Sequence, residues 1–144
     1  MKYIVLAFIS LMALKSCSQE ADQQKENMVF TYDEFSRGFA NTYIITNKDI
    51  TVKSGTIDDL IKSKPITEDQ YQEIVMLAEA IDLETLNSYE PDSEARNIDA
   101  AAHSELEVTV GDKTFNSKTF DKGNPPKPLA PLVNAIIRLA ETVE

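Results

Sequence analysis

The sequence has no tryptophan, one histidine, one cysteine and only four glycines among its 144 residues. The four glycines (Gly38, Gly55, Gly111 and Gly123) lie too far apart to form a phosphate-binding loop. No His-Glu-x-x-His, Gly-x-Ser-x-Gly or Ser-x-x-Lys motif is present. One cysteine and one histidine are too few for the usual zinc or disulfide frameworks. The sequence therefore predicts no catalytic residue, no metal site and no cofactor.

Basic residues are outnumbered, with 14 Lys and Arg against 24 Asp and Glu, so the formal net charge is −10. A chain of this charge is repelled by phosphate backbones, and we expect no nucleic-acid partner. Hydrophobic residues make up 42% of the chain. That content and length predict a single domain with one core.

The first seventeen residues form a positive start, an apolar run and a cysteine. Lys2 precedes the run from Tyr3 to Leu14, which is too short to span a membrane as a helix, since spanning needs about 17 to 25 residues. Leu14 and Ser16 stand three positions and one position before Cys17. This pattern resembles a bacterial lipoprotein signal, which implies cleavage after Ser16 and a lipid on Cys17.

Residues 18–27 contain no large apolar side chain and are predicted to be a flexible tether. The expected organisation is a signal peptide over 1–16, a lipidated cysteine and tether over 17–27, and one domain over 28–144. Acidic residues close behind Cys17 resemble the signal of Bacteroidota-type lipoproteins. That resemblance implies an outer-membrane anchor, on the periplasmic or the cell-surface face. The alternative is a solvated linker that carries no localisation signal.

Alternation of apolar and polar residues predicts strands in the first third of the domain, over Met28–Phe35, Ala40–Thr46 and Ile50–Lys53. Thr56–Lys64 is ambiguous and would suit a helical turn ended by Pro65. Thr67 and Gln70 form a predicted capping box for a helix with an apolar stripe that runs to Ile81.

The second half repeats the strand-then-helix arrangement. Ala102–Val110 alternates cleanly, Gly111-Asp112 suits a type II′ or I′ hairpin turn, and the returning strand is expected to run to about Phe120. Leu129, Leu132, Val133 and Ile136 begin a second helical stripe. The predicted fold is α+β, with an antiparallel sheet in the order β-β-β-α-β-β-α and both helices on one face.

Three irregular segments are predicted to converge and to bind a partner: Ser36–Phe39, Tyr89–Asp99 and Asp121–Pro126. The candidate binding residues are Ser36, Arg37, Phe39 and Arg96. The arginines are exceptional cations in an acidic chain, although each could instead pair with a neighbouring carboxylate only to shape its loop.

Two further groups of polar residues could either be solvated surface residues or take part in catalysis or cation binding. His103 falls in the polar phase of its strand, where a solvated histidine competes with a general base. Asp92, Glu94 and Asp99 share a loop that could gather a cation, but their spacing lacks the glycine and closing glutamate of an EF-hand. A solvated acidic loop is the alternative.

The layout from Tyr32 to Phe39 (Tyr-x-x-x-Ser-Arg-Gly-Phe), the segment Leu83-Glu84-Thr85-Leu86 and the closing Leu-x-x-Leu-Val helix resemble small lipoproteins of the Bacteroidota type. More weakly, the layout is similar to emfourin-like inhibitors of metalloproteases. The first resemblance implies a lipid-anchored envelope protein with an envelope or extracellular protein partner. The second resemblance implies a protease inhibitor. The alternative to both binding functions is an enzyme, a carboxylate-dependent hydrolase.

The lipoprotein interpretation predicts that Cys17→Ser releases the protein from membranes without unfolding its domain. Each buried methylene of a lipid contributes about 0.8 kcal/mol to membrane binding, and stable anchoring takes more than one chain. Membrane fractionation after a high-salt wash measures the release, with Ser18→Ala as the matched control that keeps the cysteine. A Cys17→Ser protein that still sediments with membranes would contradict the prediction.

Overall fold

A computed structural model describes residues 27–55 and 60–143. These residues form an open antiparallel sheet with two α-helices, which confirms the α+β class. The strands are β1 (Met28–Phe35), β2 (Ala40–Ile45), β3 (Asp49–Ser54), β4 (Leu60–Pro65), β5 (His103–Val110), β6 (Lys113–Asn116) and β7 (Phe120–Asp121). The α-helices are α1 (Glu68–Glu79) and α2 (Ala130–Ala140), and 3₁₀ helices cover Leu83–Ser88 and Ala95–Ile98.

The strands lie in the order β4-β3-β2-β1-β5-β6, and β7 also pairs with β5. β1 is central because β2 and β5 flank it along its length, with Tyr32 opposite Tyr43 on one side and Leu106 on the other. Residues opposite one another share a sheet face. The register of β1 therefore decides which residues of both neighbours reach the core.

Both helices pack on one face of this sheet. The buried side chains of that face come mainly from Met28, Phe30 and Tyr32 of β1 and from Leu106 and Val108 of β5. The Tyr71 hydroxyl of α1 donates to the Met28 carbonyl at 2.9 Å, which ties the helix to the central strand. The opposite face, called here the outer face, carries partly exposed residues such as Thr31 and Asp33.

The ends of the helices follow their sequence signals. Thr67 and Gln70 form the predicted capping box: the Gln70 N–H donates to Thr67 Oγ1 at 3.2 Å and the Thr67 N–H donates to Gln70 Oε1 at 2.9 Å. α2 tolerates Pro131 because the residue lies in the first turn, where no intrahelical N–H bond is lost. Its buried stripe includes Leu132, Val133 and Ile136, as expected.

The predicted element order is wrong at two places. Thr56–Lys64 was ambiguous in sequence and suited a helical turn, but Leu60–Pro65 pairs with β3 as β4, while residues 56–59 lie outside the described part. The returning strand stops at Asn116, because Ser117 accepts from the Leu106 N–H at 3.0 Å through its hydroxyl. Pairing then resumes as β7, so the order is β-β-β-β-α-β-β-β-α.

The hairpin between β5 and β6 has the predicted register, with Val110 opposite Lys113 and Val108 opposite Phe115. Gly111 has a φ of 58°, and Asp112 is not among the residues with positive φ. That combination identifies the turn as type II′.

The predicted signal peptide (1–16), Cys17 and the predicted tether as far as residue 26 lie outside the described residues. Within residues 27–55 and 60–143, no helix is long and apolar enough to cross a membrane.

Ile136→Asp is expected to unfold the domain, because Ile136 is fully buried between α2 and the sheet. An unpaired buried carboxylate costs several kcal/mol, against a typical total stability of about 5 to 15 kcal/mol. Circular dichroism during thermal melting measures the effect, with Glu141→Ala, an exposed change at the end of the same helix, as the control. Cooperative melting of Ile136→Asp near the wild-type temperature would contradict the packing of α2.

Candidate functional site

The three segments predicted to converge do meet at one end of the sheet. Arg37 of the β1–β2 turn lies 3.5 Å from Asp99, through Nη2 and Oδ2. Asp121 of β7 accepts hydrogen bonds from the 3₁₀ helix at Ala95–Ile98. The Lys122 ammonium lies 4.9 Å from the centre of the Phe39 ring, which joins the third segment to the first.

Between the β1–β2 turn and residues 99–103 lies an open groove of about 820 Å³. It is lined by Phe35, Ser36, Arg37, Phe39, Asp99–Ala102 and His103. Phe35 and His103 are cross-strand partners whose rings stack with centroids 5.2 Å apart and planes 8° from parallel. The groove thus combines two phenylalanine rings and three alanines with an exposed cation and an exposed carboxylate.

The rim of the groove is a short turn that is held by hydrogen bonds within the turn itself. The Ser36 N–H donates to the Phe39 carbonyl at 2.9 Å, and the Gly38 N–H donates to Ser36 Oγ at 3.4 Å. Arg37 at the tip is 91% exposed, so its ion pair with Asp99 is a solvated contact worth about 0 to 1 kcal/mol. Its guanidinium is therefore available to a partner.

Lys122 links Phe39 to the buried carboxylate of Glu34. Its ammonium lies 2.8 Å from a carboxylate oxygen of Glu34, which is buried at the end of β1 and also accepts from the Tyr43 hydroxyl at 3.2 Å. Burial, with the nearby Glu34 charge and hydrogen bond, raises the pKa of Tyr43 to about 12. Tyr43 therefore stays a neutral donor to Glu34 at physiological pH.

Arg96 does not line the groove, unlike Ser36, Arg37 and Phe39. Its side chain is 11% exposed and lies 3.2 Å from Asp121, and it also donates to the Ser93 carbonyl at 2.8 Å. The sequence left two roles open for Arg96, a partner-binding cation or a cation that pairs with a carboxylate to shape its loop, and the structure places it in the second role. The reason is Asp121, whose buried carboxylate requires a partner.

Asp121 accepts the hydrogen bonds that hold the 3₁₀ helix at Ala95–Ile98 in place. Burial would raise the pKa of its carboxyl, but hydrogen bonds from Ser93, from the backbone N–H groups of Arg96 and Ala95, and from the Arg96 guanidinium lower the pKa to about 2. The backbone donors lie at 3.0 Å and 2.9 Å. Asp121 therefore holds the 3₁₀ helix, and through it Asp99–Ala102, against the sheet.

Sequence reasoning missed Phe35 and the three alanines that line the groove, and it considered His103 without placing it beside Phe35. The β1 pattern placed Phe35 at the end of a strand, and His103 was assigned to the polar phase of its own strand. Their stacking needs the β1–β5 register, which pairs residues nearly seventy positions apart in the chain. No local pattern encodes that pairing.

The groove contains a serine, a histidine and an aspartate, but in the described part of the chain no hydrogen bond joins His103 to the other two. Ser36 Oγ accepts from Gly38, and Asp99 pairs with Arg37. The arrangement therefore lacks the contact between nucleophile and base that Ser-His-Asp catalysis requires.

A second group of carboxylates, Asp33, Glu105 and Glu107, lies on the outer face. Partial burial, with the charges of Asp33 and Glu107, raises the pKa of Glu105. None of the three lines the groove, and Asp33 accepts from the hydroxyl of Thr42. They form a shallow acidic patch on an open sheet surface.

No group of three or more His, Cys, Asp or Glu side chains in residues 27–55 and 60–143 is placed to hold a metal ion. The three carboxylates of the acidic loop point to different partners. Asp92 lies 3.8 Å from Lys127, Glu94 accepts from Asn97, and Asp99 pairs with Arg37.

Comparison with protein-family models and with curated proteins finds no match for this chain. The resemblances to Bacteroidota-type lipoproteins and to emfourin-like inhibitors therefore stay predictions from the quoted residues.

Asp121→Asn is expected to lower stability by about 1 to 3 kcal/mol, because hydrogen bonds to a buried charged group are replaced by weaker or unmade ones. The wild-type carboxyl has a pKa lowered from 3.8 to about 2, so its contribution is present above pH 4 and is lost as the pH falls toward 2. Chemical denaturation at pH 7 and at pH 2.5 measures both effects.

Asp112→Asn, in the exposed β5–β6 turn, is the matched control for that experiment. The stability gap between wild type and Asp121→Asn should narrow at pH 2.5. A gap that is unchanged or wider in acid would contradict the assigned role of the carboxylate.

Proposed function

We propose that this protein is a lipid-anchored envelope lipoprotein whose domain binds another protein at the groove and performs no chemistry of its own. The observation that carries the proposal is the groove itself. It pairs apolar surface from Phe35 and Phe39 with the 91% exposed guanidinium of Arg37, on a frame held by buried ion pairs. Aromatic residues, including phenylalanine, and arginine are enriched at protein interfaces.

The anchor is part of the same proposal. A lipid on Cys17 and the tether over 18–27 would hold the domain near the outer membrane, on its periplasmic or cell-surface face. The supporting observations are the apolar run, Leu14 and Ser16 before Cys17, and the acidic residues behind it. Cleavage after Ser16 would remove Lys2 and Lys15 and change the net charge from −10 to −12.

A protein segment suits this groove better than other ligands. The groove is open to solvent and lies at the end of β1, whereas small-molecule sites usually bury most of their ligand. The acidic chain disfavours nucleic acid. Asp99 beside Arg37 offers a paired acceptor and donor, and a partner that carries both charges and an apolar side chain could satisfy the whole lining.

Catalysis by carboxylates is the weaker alternative. The pKa of Glu105 is raised, as is common for carboxylates of active sites. Glu105 nevertheless lies on the outer face, with solvent on one side, and does not line the groove. Protease inhibition is a narrower form of the binding proposal. It is supported by the exposed turn Ser36-Arg37-Gly38, which could enter a cleft, and by the resemblance to emfourin-like inhibitors.

The test begins with capture of partners from the native envelope by the anchored protein, followed by affinity measurement on variants. Arg37→Ala is expected to weaken binding by about 2 kcal/mol, the usual size of an interface hot spot, while melting within a degree or two of wild type. Arg138→Ala is the matched control, since Arg138 is also an exposed arginine paired with a carboxylate, Glu73, but lies on α2 away from the groove.

Phe39→Ala tests the apolar half of the lining in the same assay. Unchanged affinity in both Arg37→Ala and Phe39→Ala would remove the groove as the binding site. A captured protease whose activity the protein blocks would select the inhibitor form of the proposal, and hydrolysis of a substrate that is lost in Glu105→Gln would overturn it.

A further inference from the structure

The two lateral edges of the sheet are treated differently. β6 is flanked by the 3₁₀ helix at Leu83–Ser88, which buries Leu86 and pairs Glu84 with Lys113 at 3.4 Å. At the opposite edge all six residues of β4 are exposed, including Leu60 (57%) and Ile61 (59%). An uncovered strand with apolar side chains is a ready template for pairing with another chain.

The hydrogen-bond phase of β4 shows which backbone groups are free. The Ile66 N–H donates to the Lys48 carbonyl at 3.1 Å across the Asp49–Pro65 pair. In an antiparallel ladder this makes Ile50–Lys64 and Val52–Lys62 the hydrogen-bonded pairs. The N–H and C=O groups of Ile61 and Ser63 therefore point away from β3. Pro65 also occupies a position whose backbone groups face away from β3, so its missing N–H removes no bond between the two strands.

The charge of this edge is opposite to that of the whole molecule. Residues 48–66 contain four lysines (Lys48, Lys53, Lys62 and Lys64) and three carboxylates (Asp49, Asp58 and Asp59), a local charge of +1 in a chain of net charge −10, and β4 itself carries two lysines and no carboxylate. Lys62 and Lys64 project from one side of β4, since alternate residues of a strand share a face. Lys64 donates to the Thr142 carbonyl at 3.1 Å, and no carboxylate of the described residues pairs with Lys62 or Lys53.

We propose that β4 docks an extended segment of a partner protein with acidic side chains at alternate positions. The segment would hydrogen-bond to the outward groups of Ile61 and Ser63. Its acidic residues would lie beside Lys62 and Lys64, and its apolar or β-branched residues beside Ile61. Addition of a strand to a sheet edge is a common mode of peptide recognition, in which backbone bonds give affinity and alternate side chains give specificity.

This surface goes beyond the groove, because β4 is the lateral edge of the sheet and contributes no residue to the groove lining. A second copy of this chain fits β4 poorly. Antiparallel pairing centred on Ser63 puts Lys62 opposite Lys64 of the other copy, and pairing centred on Lys62 puts two Lys62 residues opposite each other. Like charges directly opposite one another destabilise a strand pair.

The purified protein is titrated with two capped peptides: one alternates glutamate with valine and threonine, and the other has lysine in place of each glutamate. The acidic peptide is expected to bind at least tenfold more tightly and to slow amide exchange at Ile61 and Ser63. Ser63→Pro removes one outward N–H but no backbone bond to β3, and should weaken acidic-peptide binding at least tenfold. Ser63→Ala, the matched control, should not. Both Ser63→Pro and Ser63→Ala lose the bond that Ser63 Oγ accepts from the Thr51 hydroxyl at 3.2 Å, so the two variants differ in the backbone N–H.

Lys62→Glu gives an independent test, since it should reverse the preference between the two peptides without altering the backbone. Arg37→Ala should leave peptide binding unchanged. A result that contradicts docking at β4 can therefore be told apart from one that contradicts partner binding at the groove. Equal binding of both peptides, or unprotected Ile61 and Ser63 amides, would overturn the proposal. Dimerisation that Ser63→Pro abolishes would also overturn it, in favour of a second copy.

Discussion

The pairing of β1 with both β2 and β5 is the interaction on which the rest of the structure depends. It sets Phe30 opposite Ile45 and Val108, so three strands contribute to one buried face. The same strand receives the Tyr71 hydroxyl bond from α1 and ends at Phe35, on the groove. A shift of one residue in β1 would exchange its core and outer faces, which is why its alternation must be strict.

Two buried carboxylates organise the end of the sheet where β1 stops. Glu34 is held by Lys122 and Tyr43, and Asp121 by Arg96 and the backbone of the neighbouring 3₁₀ helix. A buried charge is unfavourable unless it is paired and hydrogen-bonded, so each carboxylate restricts the loop that supplies its partners. The groove therefore has a fixed frame around an exposed tip, the arrangement that limits the entropy lost on binding.

The proposed groove and the proposed docking strand are surfaces of different kinds. The groove offers side chains on a turn, with its backbone largely satisfied, and would recognise shape and charge. β4 offers unpaired backbone groups beside lysines, and would recognise an extended chain of opposite charge. The lysines of β4 also disfavour pairing between copies, so an edge that is open to an acidic partner is protected from self-association. Both surfaces would suit a domain tethered to a membrane and exposed to other proteins.

The sequence by itself determined β1, β2, β3, β5, both α-helices and the turn at Gly111, because alternation, helical spacing and capping are local patterns that burial on one face enforces. It also pointed to Ser36, Arg37 and Phe39 by their place in a turn. Only the tertiary structure decided that Leu60–Pro65 is a strand, since that segment alternates weakly and is extended by pairing with β3. Likewise, Arg96 became a buried support rather than an exposed cation because Asp121, distant in sequence, lies beside it. Pairing and burial between distant segments depend on the whole fold, which no local pattern contains.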